Sequence, residues 1–490
     1  MESRSGFVSK GRTIAAMLSL LLLASSGVGT AAAPAAGGRP AMDKIHPSLV
    51  AASEKRPGDR VDVLVTLTPG SAEKFTAIPG AEVKAEHAFI NTKKVSVPLQ
   101  ALPGLQHNPN VQWVSPDSQL RLNALSASEL KTIYNQVANT PAAWSLGRTG
   151  QGVTVAVLDS GIGRTGDISG WYLKTNPNGS DPYDYFGHGT HVAGVINGVS
   201  ARDYQGAAPG AKILSIKVSD DHGAGTASDL ISGLEWVYNN GKSLNVRVVN
   251  VSVQAGTPES YMTSPVAAAV EKLWFAGYVV VVASGNQGAV PEAAWYPPSN
   301  DPYVISVGAV DDNGTISTAD DTLAAFSSRG ISQDGHYRPE IVAPGRRIVS
   351  VLAPGSSWVT TFPDRIVDTN YIRMSGTSFA APVVAGAAAI LLEDSPNLNP
   401  DQVKWALLNG ARTYGGQPDS AKLVDVGAAL ALVKRGPIGY ANRGLTPNNY
   451  NVRSTSSTFS NIYWDQIYWD QIYWDQIYWD QIYWDQSVVD

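Results

Sequence analysis

The chain has 490 residues, 43% apolar and 16% charged, which is long and apolar enough for two to four folded units and too weakly charged for a disordered chain. It holds no cysteine, which excludes disulfide scaffolds, thiol catalysis, iron–sulfur clusters and thiolate zinc sites. The net charge of −6 belongs to residues 461–490, which carry six Asp and no Lys, Arg or Glu; without them the acidic residues equal the 36 basic ones, and no basic excess points to nucleic acid.

At the N-terminus Arg4, Lys10 and Arg12 precede the apolar run Ile14–Ala24, and small residues follow as far as Ala33. A basic start, a short apolar core and an A-x-A site predict a secretory signal peptide over 1–33, and hence an exported protein. An uncleaved anchor or a buried helix is the other reading, although the run falls short of the about 20 residues of a membrane span. No later stretch reads as a span. Residues 34–125 form a leader and a small α+β module. Val61–Leu67 alternates like a half-buried strand, a Pro-Gly turn and a short helical piece follow, and Lys94–Leu99 and Val111–Val114 read as further strands.

The larger unit, 126–435, alternates Val- and Ile-rich runs (Val153–Leu158, Ile213–Val218, Val246–Val251, Tyr278–Ala283, Val304–Val307) with helical stretches (Ala227–Asn239, Ser264–Phe275, Ser378–Leu392). This pattern predicts an α/β fold, a mostly parallel central sheet flanked by helices, with its chemistry at the carboxyl ends of the strands. Residues 436–460, rich in Asn, Ser and Thr, read as a polar linker. Residues 462–486 are five copies of Ile-Tyr-Trp-Asp-Gln within a tail over 461–490. A period of five suits neither a strand nor a helix face. The tail reads as an aromatic surface for a carbohydrate or cell-surface partner, as a recognition tag, or as an expanded repeat without a role.

Candidate chemistry falls in four places. Asp159 follows the strand Val153–Leu158 directly, where a carboxylate serves catalysis, capping or cation binding. His188 and His191 lie three apart in His188-Gly189-Thr190-His191, on one helix face; no H-E-x-x-H pattern or third ligand supports a metal, so His188 is expected to face a cleft and His191 the fold's interior. Ser378 opens an apolar helix, where its Oγ lies near unpaired N–H groups and the positive end of the dipole; an N-cap Ser would look the same. Asn286 ends a strand in the turn Ser284-Gly285-Asn286, as an ordinary turn residue or as an amide donor to an oxyanion.

With their flanks, Val157-Leu158-Asp159-Ser160-Gly161, His188-Gly189-Thr190-His191-Val192-Ala193-Gly194 and Gly376-Thr377-Ser378-Phe379-Ala380-Ala381-Pro382 make the region resemble the subtilisin-like serine proteases (subtilases), in the Asp…His…Ser order of that family. The resemblance implies Ser378 as nucleophile, His188 as general base and acid, Asp159 as its orienting carboxylate, and Asn286 with the Ser378 N–H as oxyanion donors. It implies peptide substrate strands at Ser219, Gly223 and Gly225 on one side and at Ser252, Val253 and Gln254 on the other, with Ala283 and Gly285 beyond. Val253-Gln254-Ala255 departs from the family's usual Gly-Gly, so Gln254 is expected to narrow or polarise the primary pocket. Asp220 and Asp221 suggest a preference for basic residues upstream of the cut. The family implies no cofactor for the chemistry; it leaves structural calcium open, although Asp311-Asp312-Asn313-Gly314 and Asp320-Asp321 read rather as solvated turns. Module 34–125 resembles an inhibitory propeptide, with self-cleavage expected within 120–139. A secreted endopeptidase acting on proteins or peptides, with its own propeptide as partner, is the leading expectation; a protease-like adhesion protein without chemistry is the rival.

Overall fold

The structure, a computed structural model, describes residues 44–71, 78–122, 133–168, 181–199, 204–418 and 420–453. The signal sequence, the pentapeptide tail, the helical piece expected after Pro69-Gly70 and most of the stretch expected to hold the cut lie outside the described residues.

The small module is an antiparallel sheet in the order β2-β3-β1-β4: β1 is Arg60–Leu67, β2 Glu82–His87, β3 Thr92–Pro98 and β4 Val111–Pro116. β1, β3 and β4 answer the expected strands. β2 has one buried residue in its sequence EVKAEH, too weak an apolar signal to read as a strand. Val63 and Val65, Val95 and Val97, and Leu102, Leu105 and Val114 form the module's core. A fifth strand, β5 (Gln119–Leu122), leaves the module and joins the larger unit.

The larger unit is built on seven parallel strands. β6 (Thr154–Asp159), β7 (Lys212–Lys217), β9 (Val246–Val251), β11 (Val279–Ala283) and β12 (Ile305–Asp311) stand in the order β12-β11-β9-β6-β7, and Ile341–Pro344 and Lys422–Leu423 extend the β12 edge. An antiparallel pair, Thr322–Leu323, is added to β12. Every residue of β6, β11 and β12 is buried, as strands covered on both faces require. Helix Thr377–Asp394 packs on β9, β11 and β12, and helices Ala227–Asn240 and Pro265–Phe275 pack on each other and on β6 and β11. The Thr377 helix is long and apolar enough to cross a membrane, a property the sequence reading had not credited to any later stretch, but it is spent on the core.

From β6 the chain steps to β7 on one side and returns to β9 on the other. This reversal opens a crevice at the carboxyl ends of β6 and β9. Asp159 closes β6 and Ser252 follows β9 there. The first part of the expected linker is packed against this unit: Asn442, Asn448 and Asn451 are buried, with Asn448 Nδ2 donating to the Ser264 carbonyl at 3.0 Å and Asn442 Nδ2 to that of Tyr303 at 2.9 Å.

Candidate active site

His188 is the first residue of helix His188–Asn197, entered through Gly187 at φ 115°. The helix start presses on the end of β6. A Cβ on Gly189 would stand 2.2 Å from the Gly161 carbonyl and 3.1 Å from Asp159 Cβ, so a side chain there would drive His188 away from Asp159. At this approach His188 Nδ1 donates to Asp159 Oδ1 at 2.7 Å, and the Ser160 N–H donates to the same oxygen at 2.7 Å. Because a carboxylate can only accept, Nδ1 carries the hydrogen and Nε2 holds a lone pair. Nε2 is buried and makes no hydrogen bond among the described residues.

Ser378 is the second residue of its helix. Its Oγ donates to the Ser252 carbonyl at 3.1 Å, and Ser252 Oγ donates to the Ser378 carbonyl at 3.0 Å. The neighbouring Phe379 ring stands 5.3 Å from that of His188, which brings helix Thr377–Asp394 to the same crevice. The hydroxyl is turned toward Ser252 rather than bonded to the imidazole.

Asn286 is held by Thr377. Its Oδ1 accepts from the Thr377 N–H at 3.0 Å and from Oγ1 at 3.2 Å, while Oγ1 accepts from the Gly285 N–H at 3.1 Å. With the oxygen engaged, the NH2 end is left to donate.

The sequence reading missed Asp184. It is wholly buried, and burial pushes its carboxyl up from the ordinary value while its donors hold it down. It accepts from Ser160 Oγ at 2.8 Å, the Gly187 N–H at 2.7 Å, the Thr190 N–H at 2.8 Å and Thr190 Oγ1 at 2.6 Å. Ser160 Oγ in turn accepts from the Gly189 N–H at 2.9 Å. The orphan amides at the start of the His188 helix are thus tied to the residue after Asp159. His191 turns inward as expected. Its Nε2 donates to the Ile348 and Ile372 carbonyls at 3.2 and 3.1 Å, and burial, with His188 nearby, pushes it down to about 3, so it stays neutral.

The cleft holds a strand of the chain itself. β5 lies between β10 (Val253–Ala255) and β8 (Gly225–Thr226), antiparallel to both; Leu122, Arg121 and Leu120 pair with Val253, Gln254 and Ala255, and Leu120 and Gln119 with Gly225 and Thr226. Of the expected substrate residues, Val253, Gln254 and Gly225 meet β5, and Ser252 meets Ser378. Ala283 ends β11, and Gly285 bonds Thr377. Ser219 and Gly223 belong instead to a turn that Asp220 closes, its Oδ1 accepting from the His222 and Ala224 N–H groups, both at 2.9 Å. Asp221 pairs with the buried Lys217.

The module is docked beside this strand by charge-assisted bonds. Ser228 donates through N–H and Oγ to Asp117, both at 2.8 Å; Trp113 Nε1 donates to Glu259 at 2.7 Å, and the Phe89 N–H to Glu235 at 3.3 Å. Among the described residues, no group of three or more His, Asp or Glu is placed to hold a metal ion. Asp311, Asp312 and Asp321 are buried rather than solvated, which corrects the expectation: Asp311 pairs with Arg346 and Arg347, and Asp312 accepts from the Gly314 N–H at 3.0 Å.

Residues 150–429 match the model of the subtilase family. The serine protease AprX of Bacillus subtilis (strain 168) is 40% identical over 273 residues, 54% of this chain and 62% of that protein, so this chain spans under two thirds of that relative. The extracellular serine proteinase of Thermus sp. (strain Rt41A) is 33% identical over 346 residues, 69% of this chain and 75% of that one. Among solved structures, fervidolysin from Fervidobacterium pennivorans, described as a keratinolytic enzyme related to subtilisin, shares the fold with a TM-score of 0.59 at 24% identity, covering 78% of this chain and 61% of that one.

Proposed function

The chain belongs to the subtilase family, and we propose that it is a serine endopeptidase, exported as a precursor whose N-terminal module occupies the cleft until it is cut away. The observation that carries this reading is His188, with Nδ1 held by Asp159 and an unengaged Nε2, facing a crevice that also receives Ser378 and Asn286. A peptide carbonyl enters beside Ser378. The hydroxyl turns from Ser252, gives its proton to His188 Nε2, and Oγ bonds the carbonyl carbon. Asp159 holds the imidazole in the reactive tautomer and stabilises its charged form. The Asn286 NH2 and the Ser378 N–H donate to the oxygen as it gains charge. Collapse breaks the C–N bond, His188 returns the proton to the leaving amine, and water repeats the sequence to free the acyl group.

Support for the precursor reading comes from β5, whose main chain fills the cleft as an extended peptide would by strand addition. Support for an extracellular location comes from the N-terminal sequence and from relatives named as extracellular or alkaline proteases. No structural calcium is assigned. The adhesion reading is not favoured, because Asp159, His188, Ser378 and Asn286 are all present in the chain.

The test compares intact mass and N-terminus of wild type and Ser378→Ala expressed identically, together with casein hydrolysis. Wild type alone should lose the module and digest casein. Identical processing of both proteins would overturn self-cleavage, and an intact wild type that leaves casein untouched would overturn the proteolytic reading.

A further inference from the structure

Gln254 stands where the side chain next to the cut must go. In the β5–β10 register, successive peptide positions pair with Ala255, Gln254 and Val253; a substrate peptide continued by one residue in that register would reach Ser252, whose carbonyl is 3.1 Å from Ser378 Oγ. A peptide bound in this register therefore brings the residue opposite Ser252 to the nucleophile. Ser252 stands just before β10, two residues from Gln254. Both point inward: Ser252 Oγ to the Ser378 carbonyl, and Gln254 Nε2 toward the Ser284 carbonyl at 3.5 Å. A substrate side chain opposite Ser252 is the diagonal neighbour of Gln254.

The Gln254 side chain reaches from β10 to the turn that carries Asn286. It is 1% exposed, and a methyl group on Gly285 would stand 2.7 Å from its Nε2, 2.8 Å from its Oε1 and 2.9 Å from Ser328 Oγ. The slot between β10 and Ser284-Gly285 is thus already filled by a primary amide.

We propose that Gln254 sets the specificity of the cut by closing this slot to large apolar side chains, so that the enzyme cleaves after small or carboxamide residues such as Ala, Ser and Asn. Two features produce this. The side chain takes the volume an aromatic ring would need, and its amide offers a donor and an acceptor that an apolar side chain would leave unpaired. The inference rests on the proteolytic reading given above.

The test expresses the full-length chain and uses the form from which the module has been removed, by its own cut or by added trypsin, with active sites titrated by a fluorophosphonate, and a set of peptide p-nitroanilides that differ only in the residue before the anilide: Ala, Asn, Leu and Phe. Wild type should favour Ala and Asn over Leu and Phe. Gln254→Gly should raise the Phe:Ala ratio of kcat/KM by at least about 10-fold. Gln254→Met, which keeps the length and loses the amide, should leave the Phe:Ala ratio low while lowering Asn relative to Leu. A wild type that cleaves after Phe as fast as after Ala, or a Gly variant with an unchanged ratio, overturns this inference alone. A wild type that reacts with neither the fluorophosphonate nor any anilide overturns the proteolytic reading, and this inference with it.

Discussion

Replacing Asp184 by Ala removes a residue that touches no substrate, yet it should cost both stability and turnover. Four donors lose their acceptor at once: Ser160 Oγ, the Gly187 N–H, and the N–H and Oγ1 of Thr190. An unsatisfied buried donor costs about 1–3 kcal/mol, and breaking a buried charged network as a unit about 3–5 kcal/mol once the surroundings relax. The lower range is the better guide, since the Thr190 hydroxyl and Ser160 can turn to other partners. For a domain of this size it corresponds to a fall in Tm of roughly 2–5 °C. His188 lies between Gly187 and Thr190, so the same loss loosens the imidazole that Asp159 orients. A displacement of about 1 Å at such a group costs on the order of 100-fold in kcat. Thermal unfolding measured in the Ser378→Ala background avoids self-digestion, and kcat is measured per titrated active site in the otherwise wild-type enzyme. Asp184→Asn keeps one carbonyl oxygen but sets an NH2 against the Thr190 donors, so it should fall between wild type and Ala. An Ala variant with stability within about 1 kcal/mol of wild type and kcat within about 3-fold would refute the positioning role.

Asn286→Ala should lower kcat by about 10²–10³-fold with little change in KM, the loss known for removing this oxyanion donor in the family. Thr377→Val, which removes the Oγ1 bond to Asn286 Oδ1 and keeps that of the Thr377 N–H, should give a smaller fall that Thr377→Ser restores. Among the described residues neither carboxylate oxygen of Asp321 has a hydrogen-bond partner, and burial, with Asp312 and Asp320 beside it and Arg412 opposing, raises it to about 7. Its folded pKa lies above the unfolded value, so stability is full below about 4 and falls as pH rises to about 7. Asp321→Asn should therefore raise Tm at pH 8 and leave it unchanged at pH 4; an equal shift at both would contradict this. A chain cut one residue beyond β5 begins at Ala124; N-terminal mapping of the mature protein decides between that start and any other.

What the sequence made legible is what short spans determine. Strands buried on both faces are runs of Val and Ile whose order forces a parallel sheet, and Asp159, His188 and Ser378 announce themselves by standing at a strand end or helix start. Asp184 gives no such signal: it sits in an aromatic loop with no periodicity, and its importance comes from four donors that folding brings to it. Asp220 is also silent about its local role, since two amides of its own turn, from His222 and Ala224, come to its Oδ1 only on folding. Residues 436–453 look like a tether because Asn-rich composition normally seeks water. Asn448 is instead buried by partners some 180 positions earlier, including Glu271, a distance at which no local pattern reports.

Leu64, Phe89 and Ile90 belong to the module's chain but pack into the main core of the larger unit, where Phe89 lies 5.8 Å from the ring of Tyr238. The module's own cluster is much smaller and is built of module residues alone, so Leu64, Phe89 and Ile90 owe their cover to the larger unit. Separation therefore strips those side chains of cover and returns their apolar area to water, at about 25 cal/mol per Å². A free module would be a marginal fold set beside an enzyme that cuts extended chain, and each unfolding would be an opportunity for digestion. Docking and folding of the module are thus one equilibrium, and proteolysis drains it from one end. Release would act as a ratchet: reversible while the chain is whole, and one-way after the first cut.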